Sequence, residues 1–179
     1  MKRIVITSVI LLLLAAATPL VAKQDENQER ELTIEELYLQ NAEIRIIREQ
    51  AVTQNRDMKL SALENIQEML DEGTLSNNTS EAYFILDYLA GEGLTRRVTQ
   101  NNRLINYFPE VRRRAVNLLG QLGGEQAKQS LIGVLLTDIE PMVLSEAAYA
   151  LGSMGDNEDN EVSQILASTL ISQNAVEPD

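Results

Sequence analysis

Arg96, Arg97, Arg103, Arg112, Arg113 and Arg114 stand together against a single acid, Glu110, in a chain that is otherwise acidic. The whole sequence carries 15 Lys and Arg against 27 Asp and Glu, a formal net charge of −12. A basic cluster on such a chain attracts an acidic protein or another polyanion by charge complementarity. The structural alternative is that each guanidinium pairs with a carboxylate of a neighbouring element. These six arginines are the candidate partner-binding residues.

Little other chemistry is open. The sequence has no His and no Cys. Their absence removes Ser-His-Asp and Cys-His nucleophiles, imidazole bases and a plausible zinc site. Carboxylate pairs can hydrolyse glycosides, but only with two positioned acids in a cleft and a surface on which sugar rings stack. With no Trp, five Tyr and two Phe, such a surface is poorly supplied. Gly91-Glu92-Gly93 and Gly120-Gln121-Leu122-Gly123-Gly124 lack the strand-to-helix setting of a phosphate loop. The acidic run Asp156–Glu161 lacks the central Gly and spaced final Glu of a calcium loop. It reads instead as a solvated turn whose acids favour the start of the next helix. The expectation is a non-enzyme with no catalytic residue, metal or cofactor.

Positioning these residues falls to a series of helices that follow a leader. Lys2 and Arg3 precede an apolar run, Ile4–Ala17, and Pro19 and Ala22 come before the polar Lys23–Arg30. This is the pattern of a secretory signal peptide, residues 1–22, with cleavage expected after Ala22. The alternative is an uncleaved inner-membrane anchor, because the run is just long enough to cross a bilayer. A lipoprotein is excluded, since no Cys exists to accept the lipid. The processed chain, periplasmic or secreted, would keep all 27 acids and 13 of the 15 bases, a charge of −14. That acidity argues against nucleic acid or an anionic lipid surface as the main partner.

Residues 23–32 read as a flexible linker. Residues 33–108 read as an N-terminal helical region. Thr33 and Glu36 form a capping-box pattern for a helix to about Thr53, with Ile34, Leu37, Ile44, Ile47 and Ala51 near one face. A second helix is predicted over 56–71, with Met58, Ala62, Ile66 and Met69 inward and Gly73 as a left-handed cap. Residues 76–80 read as a loop and 81–90 as a short apolar helix. For 95–108 a helix and a hairpin compete; Asn101-Asn102, between Val98–Gln100 and Arg103–Ile105, favours an irregular or hairpin-like insert.

Over residues 109–172 the chain repeats. Pro109-Glu110-Val111, Ala115, Leu118-Leu119-Gly120 and Leu122-Gly123 recur 32 residues later as Pro141-Met142-Val143, Ala147, Ala150-Leu151-Gly152 and Met154-Gly155. The apolar spacing makes one stripe on a 3.6-period helix, and a period of this length signals stacked helix pairs. Helices are predicted over 110–121, 125–137 and 141–153. A last helix carries Val162, Leu166, Thr169 and Leu170 on its stripe, and 173–179 reads as a disordered tail. Paired helices cannot bury their stripes alone, so neighbours stack into one core. The fold class is therefore all-α, a solenoid of antiparallel helix pairs.

Residues 109–124, Pro-Glu-Val-Arg-Arg-Arg-Ala-Val-Asn-Leu-Leu-Gly-Gln-Leu-Gly-Gly, resemble a HEAT-like repeat of the short type also found in phycobilin lyases. Pro141–Gly155 is similar to a second copy without the arginines, and Met58–Met69 to a degenerate third. The resemblance implies a HEAT-like or armadillo-type superhelix and a non-catalytic scaffold, here expected to hold another protein in the cell envelope. It also implies that arginines after Val at this repeat position pair with acids of the next unit. The alternatives are a carboxylate-dependent envelope enzyme and a structural module of a larger assembly. No obvious polar capping unit follows Leu170, so self-association through the C-terminal repeat is a further expectation.

Overall fold

The computed structural model describes residues 33–155, 157 and 160–176. The signal-peptide and linker readings lie outside these residues, as do 156, 158 and 159 of the acidic run 156–161. Contacts separate Met1–Leu32 from Thr33–Asp179, and only the second unit is described.

Helix α1, Ile34–Val52, buries Ile44, Ile47 and Ala51, which fall on one face. The expected stripe does not extend to its start: Ile34 is 85% exposed, because no described residue packs over the first turns. The side chains of Glu36 and Leu37 lie outside the described set, so the capping box stands untested. Helix α2, Arg56–Asp71, begins at Asn55, whose Oδ1 accepts from the backbone N–H groups of Asp57 and Met58. Ala62, Leu63, Ile66 and Met69 are buried, whereas Met58, expected among them, is 40% exposed. Gly73 takes the left-handed conformation, with φ +70°.

The predicted loop at 76–80 is instead a 3-10 turn, Thr74–Asn78, running directly into helix α3, Thr79–Ala90. Buried Leu75 anchors that turn, and Thr79 Oγ1 donates back to the carbonyls of Leu75 and Ser76. Local side-chain bonds of this kind draw Thr79 and Ser80 into the first turn of the helix.

Residues 91–108 interrupt the helices with a hairpin. Strand β1, Thr99–Gln100, pairs antiparallel with β2, Arg103–Leu104, and the ladder extends to Ile105 N–H donating to Val98 O. Asn101 and Asn102 turn the chain with φ of +52° and +59°, the double positive φ of a tight two-residue turn.

Helix α4 then spans Pro109–Leu122, α5 Gly124–Thr137, α6 Pro141–Met154 and α7 Glu161–Val176. Pro109 and Pro141 sit at the first helical positions, where no hydrogen bond is lost. The seven described helices pack in two rows: α2, α4 and α6 in succession, and α1, α3, α5 and α7 alongside. The degenerate third copy is thus real at the level of structure. Ala62, Ala115 and Ala147 hold the same place in α2, α4 and α6, and all three are fully buried. A Cβ on Gly120 would lie 2.6 Å from Cβ of Ala150, so α4 and α6 meet nearly backbone to backbone there.

Two expectations for the last helix are corrected. It runs through Val176, so residues 173–176 are helical and not tail. Its stripe is only partly covered: Val162 is buried, Leu166 and Thr169 are half-buried, and Leu170 is 64% exposed, since no described helix follows it.

Candidate functional site: a basic hairpin on a buried ionic frame

The six arginines do not form one patch. Arg112 is completely buried and is removed from the candidate surface. Its Nε and Nη2 donate to Asp138 Oδ2 and Oδ1 at 2.7 and 3.2 Å, and its Nη1 donates to the carbonyl of Glu92 at 3.1 Å. A bidentate pair of this kind satisfies the guanidinium where no water reaches it. Arg113 is exposed but reaches across to α6, 3.0 Å from Glu146. Arg114 donates to Asn117 and Gln67 and so ties α4 to α2. These three arginines on α4 bind the stack; the partner of Arg113 is an acid of the next unit, whereas that of Arg112, Asp138, caps the end of α5 in its own unit.

The other three belong to the insert and face solvent. Arg96 lies over the Tyr88 ring, 4.5 Å from its centre, a cation–π contact that holds the side chain in place. Arg97 and Arg103 are exposed, and neither side chain makes a hydrogen bond or ion pair among the described residues. From Thr95 to Phe108 the insert carries these three cations and no acid.

What fixes this insert is a buried carboxylate that sequence reading passed over. Glu92 is 2% exposed. Its Oε2 accepts from Lys59 Nζ at 2.9 Å, its Oε1 accepts from Asn106 Nδ2 at 2.9 Å, and its carbonyl accepts from Arg112. Lys59, also buried, donates to Ala51 O at 2.7 Å. Asn106 in turn donates to Arg96 O and accepts from Val98 N–H, which clamps the base of the hairpin. Gly93, at φ +74°, passes so close that a Cβ would lie 2.4 Å from Asn106 O. Lys59 and Arg112 hold equivalent places, three residues into α2 and α4, whereas α6 has buried Leu144 there. That alignment of a Lys with an Arg was the available signal. It becomes visible only once α2 is placed in register with α4.

Asp138 closes the frame on the other side, its Oδ1 accepting from the N–H groups of Ile139 and Glu140 just before α6. The charges of this region shift one another. Burial opposes the charge on Arg112, but the hydrogen bonds and charge of Asp138 outweigh it and raise the guanidinium pKa. Tyr107 donates to Glu140, and this bond, with burial, raises the phenol pKa. Near the start of α4, burial pushes the Glu110 carboxyl up, yet the hydrogen bond from Arg56, backbone contacts and the nearby guanidinium charges together hold it below its ordinary value.

A second surface feature is a groove of about 400 Å³ across α2, α4 and α6, lined by Glu64, Glu110, Arg113, Arg114 and Glu146 among others. Its charges are of both signs: Arg113 pairs with Glu146 inside it, Glu110 with Arg56 beside it, and Arg114 donates to Asn117 and Gln67. No group of acids that could hold a metal occurs among the described residues. No described helix is long and apolar enough to cross a membrane.

Comparison with known families agrees with this geometry. Residues 102–176 match the family of HEAT repeats. No curated protein and no solved structure is similar enough to count as a match. HEAT repeats commonly mediate contacts between proteins, and proteins built from them are generally scaffolds and not catalysts. With its helices in two rows and its repeat residues in register, the chain is all-α, and its segment 102–176 is similar to HEAT repeats.

Proposed function

We propose that the protein is an exported, non-catalytic scaffold of the cell envelope that holds an acidic partner on its hairpin insert. The observation that carries this reading is the contrast among the arginines. Those on α4 are engaged within the stack, while Arg97 and Arg103 stand exposed beside Arg96 and unpaired among the described residues. Insertions between repeats project from one side of a stack and often form its binding face. Three uncompensated cations on an acidic protein attract acidic residues and repel other basic surfaces. The frame around Glu92 holds the hairpin rigid, so little ordering is lost on binding. Export rests on the leader: a basic start, a short apolar run and Ala22 before a polar stretch.

The test replaces Arg96, Arg97 and Arg103 by Glu and compares capture of partners from an envelope extract, read by mass spectrometry. Loss of a specific band with an unchanged helical spectrum is expected. Capture that survives the reversal unchanged would exclude the hairpin. N-terminal sequencing of protein recovered from cells tests the leader, with Lys23 expected first; Met1 retained would favour the anchor.

A further inference from the structure

The register of the hairpin leaves backbone groups without partners along its outside. Gln100 pairs with Arg103, and Ile105 N–H donates to Val98 O, so Thr99 and Leu104 form the pair between two hydrogen-bonded ones. In such a pair the N–H and C=O of each residue point away from the opposite strand. Neither residue's backbone bonds to any other group among the described residues. Thr99 is exposed, whereas Leu104 is half-buried. The accessible edge is therefore that of β1. An unpaired strand edge is a template on which another extended chain can add.

Charge says which chain. Side chains alternate between the faces of a strand, so Arg97 shares a face with Thr99, and Arg103 shares the other with Gln100, its cross-strand partner. A chain laid along β1 thus meets a cation on either face, and no acid between Thr95 and Phe108 competes with it. A compact anion cannot bridge cations on opposite faces, but an extended segment presents side chains to both. Two hairpins meeting edge to edge would bring only cations together. The arginines therefore close this edge to a second hairpin while admitting an acidic strand. The strand is fixed before anything binds, because Asn106 holds Arg96 O and Val98 N–H. The ordering cost falls on the incoming segment alone. Resting on the reading of the hairpin as the binding site, we infer that the partner enters as an extended acidic segment added along β1. Its backbone bonds to Thr99, and its carboxylates pair with Arg97 and Arg103.

The test measures fluorescence anisotropy of a labelled peptide of Glu-Thr-Thr triplets, which carries acids on both faces when extended, titrated with the full chain at low salt. Binding is expected. Thr99→Pro removes the outward N–H and blocks the edge without touching a ladder bond, and is expected to weaken binding about tenfold or more. Thr99→Val keeps the N–H and Leu104→Pro alters the other edge, so both are expected to bind as the wild type does. The same peptide with its Thr nitrogens methylated keeps its charge but loses donors, and is expected to bind poorly. It decides the matter without any change to the protein, should proline disturb the hairpin. No binding of the plain peptide, or equal binding of the methylated one, would overturn strand addition. So would undiminished binding to Thr99→Pro. If charge reversal at Arg96, Arg97 and Arg103 still abolishes partner capture in those cases, the hairpin remains the binding site and only the mode of entry is wrong. Capture indifferent to that reversal would remove the site itself.

Discussion

Removing the Glu92 carboxylate would leave the Lys59 ammonium buried with one carbonyl and the face of the Tyr88 ring for company. Breaking a buried pair from one side costs about 3–5 kcal/mol, because the remaining charge stays desolvated. Glu92→Ala is therefore expected to lose about that much in urea denaturation. Adding Lys59→Met should return part of the loss, since no unpaired charge then remains. If the double variant is no more stable than Glu92→Ala, the pair is not the reason Glu92 matters. Glu110 gives a pH dependence of definite sign. Its folded pKa lies below the ordinary 4.5. The contact with Arg56 thus contributes fully above that value and is lost as pH falls through the depressed one. Glu110→Gln should flatten the acid limb of stability measured by urea midpoints, and added salt should shrink the difference, as this pair is partly exposed. At this scale the sequence was half legible. The arginine cluster was visible as charge, but the division between Arg112 and Arg97 depends on which acid lies opposite. Asp138 is 26 residues from Arg112, and nothing local marks the pair.

Among the elements, packing between α4 and α6 separates two glycines that look alike in sequence. Gly120 and Gly133 both lie inside helices, where Ala is normally favoured by about 1 kcal/mol. A Cβ at Gly133 meets nothing within 4 Å, while one at Gly120 runs into Ala150. Gly133→Ala is expected to raise the thermal midpoint and Gly120→Ala to lower it, the overpacking costing about 1–3 kcal/mol. Equal and positive effects would deny the close approach. Ala147→Phe belongs to the same contact and should destabilise by about 1–3 kcal/mol in chemical denaturation. An unchanged midpoint would count against its packing role. Helix positions were read well because the apolar period and the prolines at helix starts are local signals. The junction at Ser76–Ser80 was not, since it depends on where Leu75 is buried. The Asn101-Asn102 turn was legible because few residues accept positive φ twice in succession.

For the whole molecule, the two-row order follows from a stripe on every helix that no helix can bury alone. The repeat of 32 residues showed two units. The helix pair α2 and α3 completes a third, read from Met58–Met69 only as a degenerate copy because residues 91–108 break the period. The ends were the least legible part: exposure of Ile34, Met58 and Leu170 depends on neighbours that the apolar pattern presumes. That same interruption of the period is where the account places function. The most direct test puts a photo-crosslinking residue at Asn102, on the hairpin tip, and in a second variant at Gln121, on the exposed face of α4. Irradiated cells are predicted to give a discrete adduct from position 102 that disappears when Arg97 and Arg103 become Glu, and none from position 121. An adduct at 121 alone, or one at 102 indifferent to those arginines, would contradict the claim that the insert receives the partner.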